Sequence, residues 1–131
     1  MLLGGTLTQL LASLATPFAF DPPAGYVLFL DEVGERPYRL DRMVTQLAQT
    51  GLLARASAVV IGELPKCDEP AGEPTARAVM ADLFSEFPGP VLIGFPSGHT
   101  VGPAMTLPFG VAARVVGGVQ PRLVIEESAV Q

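Results

Sequence analysis

Apolar residues along the first hundred positions arrive alternately as strand-length runs and as helical stripes. Leu7, Leu10, Leu11 and Leu14 fall at i, i+3, i+4 and i+7, the stripe of a helix lying on a core. Met1 to Phe20 therefore reads as a buried helix opening the domain. Tyr26-Val-Leu-Phe-Leu30 is a continuous apolar run after the turn signal Pro22-Pro23-Ala24-Gly25, which predicts a buried strand. Leu40, Met43, Val44 and Leu47 mark a second helix, closed by Gly51. Ala58–Ile61 is the next strand. Pro74 then opens a helix whose one face carries Ala76, Val79, Met80, Leu83 and Phe84, and Pro88-Gly89-Pro90 ends it. Val91–Ile93 is the third strand.

Beyond Phe95 the pattern changes to short apolar runs broken by glycine and proline. Ala104–Leu107, Val111–Val116 and Leu123–Ile125 read as small antiparallel strands, with Gly117-Gly118 as a hairpin connection. Three βα-type units followed by a β meander predict an α/β domain with a mixed sheet, flanking helices and a C-terminal meander. No repeat or linker divides the 131 residues, so residues 1–131 are read as one domain.

Composition narrows the function classes. Apolar residues make up 49% and charged residues 16%, the balance of a core-forming chain. The net charge of −5 argues against nucleic acid or an anionic membrane as partner. The apolar N-terminus lacks the basic start of a signal peptide, and Gly4, Gly5 and Pro17 interrupt it, so neither a signal nor a membrane span is expected. The lone Cys67 cannot form an internal disulfide and fits a reducing, cytoplasmic setting. A single histidine excludes a metal site with several His ligands and routes any imidazole chemistry through His99. No cofactor motif is present, and none is expected.

Three places put polar groups just after buried strands, where sites in α/β sheets gather. Asp31-Glu32 follows the first strand; these acids either cap the next turn and pair with Arg36, Arg39 or Arg42, or orient an imidazole by accepting its ring N–H. His99 sits in the loop Gly94-Phe95-Pro96-Ser97-Gly98-His99-Thr100. Cys67 lies in the polar stretch after Gly62-Glu63, with nothing beside it to activate a thiolate. Ser97 is two residues from His99, a spacing that does not by itself aim the hydroxyl at the ring. The residues alone thus offer an acid–imidazole pair without an obvious nucleophile.

Five ordered segments resemble the C-terminal domain of the LD-carboxypeptidase family of serine peptidases. They are Gly4-Gly5-Thr6-Leu7, Leu28 through Met43, Val60-Ile61-Gly62-Glu63, Gly94 through His99, and Thr106-Leu107-Pro108-Phe109-Gly110. The resemblance implies a swivelling β/α domain that supplies the acid and histidine of a Ser-Glu-His triad, with the serine carried on a separate N-terminal domain absent from this chain. His99 matches the triad histidine. The family reads Leu-Glu-Asp where this chain has Leu30-Asp31-Glu32, so Asp31 takes the glutamate's place by register and Glu32 has its chemistry one step along. Strand side chains alternate faces, so only one of the two reaches His99, and register favours Asp31. The implied substrate is a murein tetrapeptide or related peptide, cleaved at its terminal D-alanine without a metal. The isolated chain is expected to be inactive in that reaction and to self-associate. The competing expectation is a non-catalytic folding, dimerisation or peptide-binding module; a weaker one is a small hydrolase using Cys67 or Ser97 with His99.

Overall fold

The structure is a computed structural model that describes residues 1–130. Its elements run β1 (Leu2–Thr6), α1 (Leu7–Ser13), β2 (Tyr26–Asp31), α2 (Pro37–Gln49), α3 (Leu52–Arg55), β3 (Ala56–Gly62), α4 (Ala76–Leu83), β4 (Val91–Phe95), β5 (Ala113–Val116) and β6 (Arg122–Ile125). Strands β1 to β4 pair in chain order as one parallel sheet, and β5 and β6 form a separate antiparallel pair. Both strand directions are present, but in different sheets.

Sequential parallel strands joined by right-handed crossovers put every connecting helix on the same face. The packing follows that rule. Tyr26, Leu28 and Leu30 of β2 and Val59 and Ile61 of β3 meet Leu10, Leu40, Leu47 and Met80 on the helical face. Their alternates, Val27, Phe29, Ala58 and Val60, face the other way and meet Ala113, with Leu107, Val115 and Leu123 packed around them. Each strand of the centre is buried on both faces, which explains the continuous apolar run at Tyr26–Leu30. Residues at the carboxyl end of β2 inherit the same alternation.

The N-terminus departs from the sequence expectation. Leu2–Thr6 is an edge strand paired with β2, and the Leu7 stripe belongs to a short helix that starts only after it. Gly4 is what permits the pairing, because a Cβ there would overlap the Phe29 carbonyl. The helix read from Pro74 begins at Ala76, with the Thr75 hydroxyl accepting from the Ala78 N–H at 3.1 Å as its cap. Ala104–Leu107 forms no strand. Pro103 and Pro108 flank it without N–H groups to donate, and Ala104–Thr106 stay exposed. The meander thus reduces to β5 and β6, whose connection spans residues 117–121 instead of two glycines. Among the described residues, no helix is long and apolar enough to cross a membrane.

Candidate active site

Asp31 is the last residue of β2 and has the same facing as Val27 and Phe29, away from the helices. His99 arrives over that end of the sheet in the loop that follows β4. The Asp31 side chain is buried, and both its oxygens are engaged by one residue. Oδ2 lies 2.7 Å from His99 Nδ1, and Oδ1 accepts the His99 backbone N–H at 3.1 Å. An ionised carboxylate can only accept, so Nδ1 carries the proton and, in the neutral ring, Nε2 is the basic nitrogen. The imidazole itself is 45% exposed while the carboxylate is 5% exposed. One partner is fixed in the protein and the other is open to a reactant.

Glycine at position 98 makes this contact possible. Its φ is +73°, and a Cβ would stand 2.5 Å from Cγ and Oδ2 of Asp31. Any larger residue would push the carboxylate off His99. Sequence reasoning found Asp31 and His99 but missed this role; the signal was a glycine immediately before the only histidine. The sequence singles out the Gly62-Glu63 stretch without giving Glu63 a role. Glu63 lies just past β3, and its Oε2 accepts the Val101 N–H at 3.0 Å, tying down the far side of the same loop.

Glu32 goes the other way. One residue further along, it turns toward α1, where Oε2 accepts the Thr8 N–H at 2.9 Å and the Thr8 hydroxyl at 2.7 Å. Its Oε1 accepts the Val33 N–H at 3.1 Å. The carboxylate is buried yet supplied with three donors, and none of its hydrogen bonds among the described residues goes to His99. Neither acid pairs with the arginines that follow: Arg36 binds Glu69 and Arg39 binds Glu35. Arg42 instead lies over the Tyr38 ring.

The remaining nucleophile candidates are not brought to the ring. Cys67 is fully buried in the helical-face core, where its Sγ lies 3.5 Å from the Pro65 carbonyl. Burial pushes its thiol up, partly countered by backbone hydrogen bonds from Glu35 and Gly34. Ser97 is also buried, and no hydrogen bond among the described residues joins its hydroxyl to His99. Among those residues no three His, Cys, Asp or Glu side chains converge on a point that could hold a metal.

A buried carboxylate that holds an imidazole beyond the carboxyl ends of a parallel β/α sheet is an arrangement that can take and return a proton. Comparison with known proteins gives the family. The sequence profile of the LD-carboxypeptidase C-terminal domain matches residues 1–115, and the chain belongs to that family. A Streptomyces coelicolor protein provisionally named a carboxypeptidase is 41% identical over 113 residues, 86% of this chain and 35% of its own length. The murein tetrapeptide carboxypeptidase of Pseudomonas aeruginosa is 30% identical over 98 residues, 75% of this chain and 32% of its own. The crystal structure of muramoyltetrapeptide carboxypeptidase from Oxalobacter formigenes superposes with a TM-score of 0.79 at 32% identity, over 92% of this chain and 42% of that one. The microcin C7 self-immunity protein shares the fold, with a TM-score of 0.63 at 21% identity, over 72% of this chain and 28% of its own. The chain spans about a third of the length of the curated relatives it matches.

Proposed function

We propose that this chain supplies the histidine and acid of a serine carboxypeptidase that hydrolyses the L,D-peptide bond to the terminal D-alanine of murein tetrapeptides. The observation that carries the reading is the Asp31–His99 couple, with a buried acceptor on Nδ1 and a basic Nε2. In this mechanism His99 Nε2 takes the proton of a serine hydroxyl as its oxygen attacks the scissile carbonyl carbon. The C–N bond then breaks, and His99 returns the proton to the leaving amine of D-alanine. Water repeats the cycle on the acyl-enzyme, restoring the serine and releasing the shortened peptide. Asp31 fixes the tautomer and stabilises the transient imidazolium. The serine comes from a separate domain, so the chain alone is inactive.

The test has two arms. The purified chain alone should release no D-alanine from a murein tetrapeptide. A chimera in which it replaces the matching region of the Oxalobacter formigenes enzyme should release D-alanine, and His99→Ala should abolish that release. Release by the chain alone that survives His99→Ala would sink the proposal, as would a chimera indifferent to His99.

The reading also carries self-association and a cytoplasmic setting. Val101, Met105 and Phe109 stand exposed in the segment after His99, an apolar surface of the kind that finds a partner. Light scattering should give a mass above the monomer; a monomer at high concentration overturns this part.

A further inference from the structure

We propose that the open edge of β4 is a subsite for a carboxylate-bearing peptide, gripped by Arg77 and Arg122 and by the outward backbone groups of Val91 and Ile93. The strand order leaves β4 at the margin of the parallel sheet. Its register, with Val59 opposite Val91 and the Val59 N–H donating to the Pro90 carbonyl at 3.0 Å, fixes which residues face inward. In a parallel ladder alternate residues turn both backbone polar groups toward the same neighbour, so Pro90 and Leu92 face β3 while Val91 and Ile93 face out. Among the described residues, the Ile93 carbonyl accepts from Arg77 Nη1 at 3.1 Å, and the other outward groups of these two residues have no partner within the protein.

A groove of about 580 Å³ runs along this edge. That volume lies within the range of about 300–1,000 Å³ typical of ligand sites. Met105, Pro96 and Leu123 give it apolar walls, and among the described residues its charged lining residues are Arg77 and Arg122. Among the arginines of this acidic chain, pairing sets these two apart. Arg36, Arg39, Arg55 and Arg114 are each paired with a carboxylate, and Arg42 lies over an aromatic ring. Both arginines without such a partner line the same groove. Two guanidinium forks beside unpaired strand-edge amides match a peptide that presents carboxylates and backbone carbonyls together. The groove includes Pro96, three residues before His99, so a peptide lying in it approaches the loop that carries the imidazole.

The choice of a murein peptide as ligand rests on the function proposed above; the groove itself does not. The test is a ¹H–¹⁵N NMR titration of the full chain with murein tetrapeptide, and with the same peptide after amidation of its carboxylates. Saturable shifts of the Val91 and Ile93 amides are expected with the free acid only. Arg122→Gln should weaken binding about tenfold and Arg77→Gln/Arg122→Gln further, as loss of charge-assisted bonds implies. The Arg122 side chain makes no hydrogen bond within the described chain, so its variant decides the matter even if Arg77→Gln alters the strand edge. Shifts confined to Asp31 and His99, unchanged in both variants, overturn the groove while leaving the proposed function standing. No shifts anywhere with millimolar peptide overturn the groove and remove peptide binding by this chain as well.

Discussion

Gly98→Ala tests whether the Asp31–His99 couple depends on a missing side chain. Two costs arise, and a second glycine separates them. The left-handed backbone at φ +73° costs an alanine about 1–2 kcal/mol, offset by about 0.4–1 kcal/mol through the stiffer unfolded chain. Gly51 has nearly the same φ, +79°, but nothing within 4 Å of a built Cβ, so Gly51→Ala measures this backbone part alone. At Gly98 the Cβ also meets Asp31 Cγ and Oδ2 at 2.5 Å and Oδ1 at 2.9 Å, closer than atoms can stay. The carboxylate must leave both hydrogen bonds to His99, each worth about 1.5–3 kcal/mol as charge-assisted bonds. Water replaces part of this loss on the exposed imidazole, so the excess of Gly98→Ala over Gly51→Ala should be about 2–4 kcal/mol. In urea, with a slope of about 2 kcal/mol per molar, that is a further drop in midpoint of roughly 1–2 M. The Nδ1 proton, expected far downfield in the parent by its 2.7 Å contact, should vanish from the NMR spectrum. Matching midpoints for the two alanine variants, with the downfield proton retained, would refute the reasoning.

Other outcomes follow from the same geometry. Asp31→Asn should erase the downfield Nδ1 proton and, in an active chimera, lower kcat by about 10⁴-fold, as wrong-tautomer variants of triad acids do. Glu32→Ala strands the Thr8 donors and should destabilise by about 1–3 kcal/mol in urea, while the Nδ1 proton persists because His99 is hydrogen-bonded to Asp31 instead. Burial holds the Tyr26 hydroxyl at about 12 against an ordinary 10.0, with Arg55 pulling weakly the other way. The folded state therefore keeps a proton that the unfolded chain gives up, and stability should fall between pH 10 and 12 by about 1.4 kcal/mol per unit of pH. Tyr26→Phe should flatten that part of the urea midpoint–pH curve. Cys67 should react with a thiol reagent far more slowly folded than in urea, since burial both covers the sulfur and favours the thiol.

Much of this architecture is written in residue patterns, and the exceptions have physical causes. The run Tyr26–Leu30 announces a doubly buried strand because both its faces meet apolar layers. Strand alternation separates Asp31 from Glu32, although nothing in the sequence says which face carries the loop of His99. That depends on all crossovers having one hand, which puts the helices on Glu32's side. The N-terminal strand was hidden because Leu2 and Leu3 merge with the helical stripe that begins at Leu7, and the glycines between them look like breakers. In fact Gly4 is there for the close approach of Phe29. Ala104–Leu107 carries a strand-like pattern, but prolines at 103 and 108 bracket it and its first three residues stay exposed, so it joins no sheet.

The distance along the chain between the two halves of the couple has a kinetic meaning. Asp31 and His99 are 68 residues apart, and β3 lies between their strands in the sheet. Their bond depends on the β2–β3 and β3–β4 pairings together, because both must be in place for the loop after β4 to stand over the end of β2. Each parallel pairing already closes about 30 residues of chain, as Val27 with Ala58 and Val59 with Val91, and the couple is a longer closure still. The Nδ1 proton should therefore be among the last native signals to form during refolding and among the first lost on unfolding. In this domain the acid–base pair would serve as a clock for completed assembly, set only when the whole parallel sheet is in place.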